Sequence, residues 1–172
     1  MRFFFLLFLF FSMISSPAIS EQKIVFVDMD RVISTSNVGS SIFKQLKSIN
    51  NKNLTFLKDE EKKFKEKEKK LITQKNIISE KDFNVKVDKL KSEINNYNQN
   101  RKKMIEEFNR LKVDSTNKLL KEINPILQQF SNENKIAIIL QKKDLIIGKT
   151  ELDITNEIIK NVNNKIKEFK IK

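Results

Sequence analysis

The chain of 172 residues has no Cys, no His and no Trp, and only two Gly and two Pro. Each shortage narrows the chemistry. Without His or Cys there is no His-based catalytic triad, no cysteine nucleophile and none of the usual nitrogen and sulfur ligands of zinc. Without Cys no disulfide staples the fold in any compartment. So few turn-forming residues leave little room for an all-β architecture. No constellation of catalytic groups is visible, so the sequence reads as a non-enzyme with no cofactor and no metal. What it has in abundance is charge: 34 Lys and Arg against 22 Asp and Glu, a formal net charge of +12. That density suits long solvated helices, and the length fits one domain, or one domain with an extension.

The N-terminus has the form of an export signal. Met1-Arg2 is a basic start, Phe3 to Phe11 is an unbroken apolar run, and small residues follow up to Ser20. This is the pattern of a secretory signal peptide, with Ala18 and Ser20 three and one before a cut ahead of Glu21. The run is shorter than the roughly 17–25 residues a membrane span needs. The expected mature protein is exported and, in a bacterium, periplasmic, where no ATP pool is available. No Cys follows the run to carry a lipid.

The expected body starts with Lys23 to Val27, a β-branched and aromatic strand apolar on both faces. Asp28 or Asp30 is placed to cap a short helix through Ser34, and Ser34 to Ser40 reads as a turn. From Ile42 to Leu120 there is neither Gly nor Pro. Within this stretch Phe83, Val87, Leu90, Ile94, Tyr97, Met104, Phe108 and Leu111 recur at steps of four and three, broken only at Arg101. That 3.5-residue repeat is a coiled-coil seam. A first helix keeps a looser register through Ile42, Leu46, Ile49, Leu57, Phe64 and Leu71, with Asn53, Glu60 and Lys67 in the gaps. Each seam needs a partner, and the economical one is the other helix, folded back as a hairpin that turns near Asn76–Ser79. Ser79 with Asp82 three residues on forms a capping signal.

Pro125 permits a kink or a fresh helix start capped by Asn124, and Asn134 is a candidate left-handed helix terminus. Ile136 to Leu140 and Leu145 to Ile147 read as two strands of a hairpin. Thr155 precedes and caps a closing helix with Ile158, Ile159, Val162 and Ile166 on one face. The expected organisation is a signal peptide at 1–20, a helical arm at 42–123, and a β-containing body from 21–41 with 124–172. So small a sheet has open edges and little cover, which argues for self-association through Ile24, Phe26, Ile136, Ile138, Leu140, Leu145 and Ile147.

These elements, in this order, resemble a known family. A signal peptide, Lys23 to Asp28 followed by Arg31-Val32, a long charged hairpin, Pro125 at its return, an Ile/Leu strand pair and Leu152-Asp153-Ile154-Thr155 together look like the Skp (OmpH-like) periplasmic chaperones. Asn134-Lys135 stands where many relatives have Gly-Tyr. The resemblance implies an α+β fold: a long coiled-coil hairpin projecting from a small β-strand body whose strands join in one intersubunit barrel of a homotrimer. It also implies that three arms enclose unfolded outer-membrane proteins. It brings no catalytic residues.

Residues 42–123 hold 22 Lys and Arg against 13 Asp and Glu. A basic arm draws in acidic chains or lies against an anionic membrane surface, although 30 Lys, four Arg and 19 Asn equally read as compositional bias on a solvated face. With so few Arg, the main reader of bases, and an export signal, nucleic acid is not an expected partner. Phe64, Phe83 and Phe108 occupy seam positions and belong to the arm core, whereas Phe43 and Phe56 lie beside the seam and are candidates for client contact. The leading expectation is an ATP-independent holdase; the alternative is a periplasmic coiled-coil tether or scaffold without chaperone activity.

Overall fold

The computed structural model describes residues 23–167 and 169–171. The expected signal peptide and its cleavage point lie outside the described residues. The chain runs β1 (Lys23–Val27), α1 (Met29–Thr35), α2 (Asn37–Gln74), α3 (Glu80–Glu133), β2 (Ile136–Gln141) and α4 (Thr155–Lys165), with short 3-10 turns at Lys142–Asp144 and Thr150–Leu152. At 1.5 Å per residue the 38 residues of α2 extend about 57 Å, and the 54 of α3 about 81 Å. No helix among the described residues is long and apolar enough to cross a membrane.

The sheet has two strands, β1 and β2, and they are parallel, with Ile24 opposite Ile138 and Phe26 opposite Leu140. The expected hairpin between Ile136–Leu140 and Leu145–Ile147 does not form. Leu145 to Gly148 is not a strand, and Ile146 and Ile147 stand fully exposed. Their β-branched composition suits a strand, but among the described residues no strand edge pairs with them. Parallel strands need a long crossover, and here the whole helical hairpin supplies it. On its other side β1 meets Asp153 through a single bridge, with Ile154 N–H donating to Phe26 O at 3.0 Å.

The core gathers around β1. Val25 and Val27 pack with Val32 of α1, Ile158 and Val162 of α4, and the roots of the long helices: Val38, Ile42 and Leu46 of α2 with Leu119, Ile123 and Ile126 of α3. The arm roots therefore share one core with the body. The expected turn over Ser34–Ser40 shrinks to the single residue Ser36, which is fully buried. Its backbone N–H ends α1 on Val32 O, and its hydroxyl caps α2 by accepting from Gly39 N–H at 3.2 Å. Gly39 is required where α2 crosses α1, because a Cβ there would lie 1.6 Å from the Ile33 carbonyl oxygen.

Three local expectations change. Pro125 sits inside an unbroken α3, so Asn124 starts no new helix. The left-handed residue after α3 is Lys135, at φ 52°, while Asn134 has φ −104° and returns its side-chain amide to Phe130 O at 2.8 Å. Asn could occupy the left-handed position, but the helix runs one residue further. At α4, Thr155 is the first helical residue, and the Asp153 carboxylate receives its N–H at 3.0 Å. The distal hairpin turn follows Gln74, and Ser79 accepts from Asp82 N–H at 3.1 Å while donating to the Asp82 carboxylate at 2.7 Å.

Candidate functional site

The arm consists of α2 and α3 lying antiparallel, and its seam is half-buried. Ile49, Leu57, Phe64 and Leu71 of α2 face Phe83, Val87, Leu90, Tyr97, Met104, Phe108 and Leu111 of α3, all of intermediate exposure, with Leu46 buried at the root. At mid-arm the Phe64 and Tyr97 rings meet edge to face with centroids 5.3 Å apart. The Tyr97 hydroxyl donates to Glu61 at 2.9 Å. Burial pushes the Tyr97 phenol upward, and the Glu61 carboxylate beside it acts in the same direction.

One seam residue is displaced. Ile94 points outward, 36% exposed, and Glu93 turns inward to pair with Lys67 across the hairpin. The bond from Lys67 holds the Glu93 carboxyl below its ordinary value. The sequence carried a trace of this: Lys67 fills a seam slot that has no apolar residue, and a cation at a seam calls for an anion opposite.

Closer to the root the seam between the two helices is not filled. A groove of about 720 Å³ opens between them, floored by Ile49, Met104, Phe108 and Leu111 and edged by Asn53, Asn100, Lys103 and Arg110. Its cause is local. Asn53 occupies a seam slot that it is too short and polar to fill, and Asn100 lines the same opening, so the apolar floor stays accessible.

Off the seam the arm exposes apolar side chains among lysines. Phe43 is 67% and Phe56 50% exposed, and Leu54, Ile72, Val85, Ile105 and Val113 are also open to solvent. Lys44, Lys47 and Lys52 share a shallow recess with Phe56 along the outer face of α2. Phe43 and Phe56 thus belong to a longer set of exposed residues; the others escaped sequence reading because a lone Leu, Ile or Val beside a seam carries no periodic signal.

On the body, Phe26 and Ile136 are buried, whereas Ile24, Ile138 and Leu140 are partly exposed and Ile147 is fully so. Leu145 is of intermediate exposure. Among the described residues β2 pairs only with β1, so its outer edge is open. Charged contacts fix the opposite side. Asp153 accepts from Lys142 Nζ at 2.9 Å and from both the backbone N–H and the hydroxyl of Thr155, and that hydroxyl accepts from Asp28 N–H at 2.9 Å. Desolvation pushes the Asp153 carboxyl up, but the bonds from Thr155 and Lys142 outweigh it and hold it below its usual value. Arg31 reaches Asn156 at 3.1 Å from the same corner. Leu152 to Thr155 is thus a fastening between β1, β2 and α4. Among the described residues no group of acidic side chains is arranged to hold a metal ion.

Comparison with known proteins points one way. The sequence pattern of the family described as outer membrane protein (OmpH-like) matches residues 23–162. The crystal structure of a protein described as an OmpH-like outer membrane chaperone, from Caulobacter crescentus CB15, superposes with a TM-score of 0.82 over 90% of each chain at 19% identity. No curated protein is similar enough to match.

Proposed function

The chain belongs to the OmpH-like family of outer membrane proteins, and from that premise we propose that it is an ATP-independent periplasmic holdase that keeps unfolded outer-membrane proteins from aggregating. The observation that carries the reading is the arm itself: a hairpin of two long helices that leaves apolar side chains exposed among lysines over its length and opens an apolar-floored groove near its root. A folded partner would ask for one contiguous patch. A client without fixed structure is met by many small contacts, each of the order of 1.5–3 kcal/mol for a fully buried side chain. Phe43 and Phe56 are the contacts we place first. The description of the Caulobacter protein as an outer membrane chaperone agrees with this role.

The body serves to assemble copies of the chain, and we assign it the homotrimer. The open β2 edge and the exposed Ile138, Leu140, Ile146 and Ile147 form an apolar margin that water does not favour. Neighbouring copies laying strands along that edge would cover it and set three arms around one cavity, with the excess of Lys over acid drawing in acidic segments or an anionic membrane surface. Export to the periplasm follows from the N-terminal pattern of residues 1–20.

Aggregation of a denatured β-barrel protein, followed by light scattering with and without the purified chain, tests the role. Suppression at stoichiometric amounts without ATP is the expected result. A tether or scaffold would leave the scattering curve unchanged, and that outcome would remove the holdase reading.

A further inference from the structure

After α4 the chain does not leave the fold. Ile166 is extended at φ −105° and ψ 103°, and Phe169 to Ile171 lie without helix against the root of the arm. Their backbone is held by one side chain of α2. Gln45 donates through Nε2 to the Phe169 carbonyl at 2.8 Å and accepts through Oε1 from Ile171 N–H at 3.2 Å. Phe169 and Ile171 pack against the core, and Lys118 of α3 lies over the Phe169 ring at 4.9 Å from its centroid. Beside this segment a cavity of about 500 Å³ remains, lined by Asn37, Val38, Ser41 and Gln45.

These contacts are those of peptide recognition. A carbonyl at one residue and an N–H two residues on are offered by any extended chain, so Gln45 reads backbone and not sequence. The apolar contacts of Phe169 and Ile171 fall on alternate residues, as in a strand. The tail, Phe169-Lys170-Ile171-Lys172, alternates apolar and charged residues. That is the pattern of a half-buried β-strand, and strands of outer-membrane barrels alternate in the same way.

We propose that the arm root is a binding groove for extended, alternating segments of the client, occupied in the free protein by Phe169 to Ile171 of the chain's own C-terminal tail. The inference rests on the holdase reading for its client. A tail joined to α4 by a few residues competes at an effective concentration on the order of millimolar. Short free peptides in dilute solution are therefore kept out. A client already held between the arms is effectively tethered too and exchanges with the tail on equal terms. The groove then admits captured chains and stays covered otherwise.

The test uses the full chain and a fluorescent peptide with the sequence of residues 166–172. Phe169→Ala with Ile171→Ala weakens the tail without touching the groove, and circular dichroism checks that the helices remain. Peptide binding by anisotropy should be at least about tenfold tighter to this variant than to the unaltered protein, and adding Gln45→Ala should reverse the gain. Unfolded β-barrel protein should displace the peptide. Absence of binding to the helical tail variant, or binding indifferent to Gln45→Ala, overturns the proposal. So does a bound peptide that client fails to displace while the protein still keeps that client soluble. Failure to keep the client soluble at all refutes the holdase reading instead, and peptide binding reports on the groove separately.

Discussion

Thr155 offers the sharpest test of how the body is fastened. It is 1% exposed, and its hydroxyl both donates to the Asp153 carboxylate and accepts from Asp28 N–H. Thr155→Val preserves shape and removes both bonds. The Asp28 N–H loses its partner in a half-buried corner, at a cost of about 1–3 kcal/mol, and a charge-assisted bond worth about 1.5–3 kcal/mol goes with it. Asp153 keeps the backbone N–H of residue 155 and Lys142, and the new methyl returns about 0.8 kcal/mol, so a net loss of about 2–5 kcal/mol is expected. Thr155→Ser keeps the hydroxyl and loses only a buried methyl, at about 1 kcal/mol. The order is therefore inverted relative to simple truncation: Val should be worse than Ser. Urea unfolding followed by circular dichroism at fixed protomer concentration reads both through the midpoint, with the slope unchanged. A Val variant as stable as the Ser variant would refute the hydrogen-bonded fastening.

The same corner sets an acid limit: because the Asp153 carboxyl is held low in the folded state, its contribution is present above the unfolded value near 3.9 and is lost as pH falls through the lower folded value, so Asp153→Asn should flatten the fall in stability below about pH 4. Gly39→Ala places a Cβ against the Ile33 carbonyl and should destabilise by about 1–3 kcal/mol despite a better helix propensity, measured by thermal unfolding; a neutral or stabilised variant would show that α1 and α2 do not cross so closely. Ile138→Asp puts a charge on the open strand and should dissociate the proposed assembly, and an unchanged mass by light scattering would place the contacts elsewhere. Replacing residues 53–104 by a Gly/Ser linker leaves Leu46, Phe108 and the other core residues in place, so the oligomer should persist while suppression of client aggregation is lost; an armless protein that still protects its client would move the binding site to the body.

The long helices were legible because two signals agree there: apolar residues at steps of three and four, and no Gly or Pro to interrupt them. Strand β1 was legible from its β-branched run. The sheet's topology was not. Ile136 to Leu140 and Leu145 to Ile147 are adjacent and strand-like, and local propensity pairs neighbours. The fold instead pairs β2 with β1, more than a hundred residues earlier in the chain, because both ends of the helical hairpin return to the same core. Local composition reports what a segment favours, not which edge is free to receive it. Pro125 misled for a related reason. It removes one donor from α3, but the packing of Ile123 and Ile126 on either side keeps the helix continuous through it.

The candidate site was less legible than the fold, and its chemistry explains why. A catalytic centre needs particular groups at particular distances, and such groups leave motifs. A surface for unfolded chains needs dispersed apolar contacts that no single client must satisfy in full. In sequence it exists only as departures from the seam: Phe43 and Phe56 stood out by size, while Leu54, Val85, Ile105 and Val113 did not. Dispersion also bears on release. If each contact engages a fraction of its apolar area, each contributes less than the roughly 1.5–3 kcal/mol of full burial, and ordering the client offsets part of that. A client then lets go one contact at a time. For the proposed holdase, release without ATP would require that folding into a membrane barrel outcompete only a few of those contacts at any moment, which a single deep hydrophobic pocket would not allow.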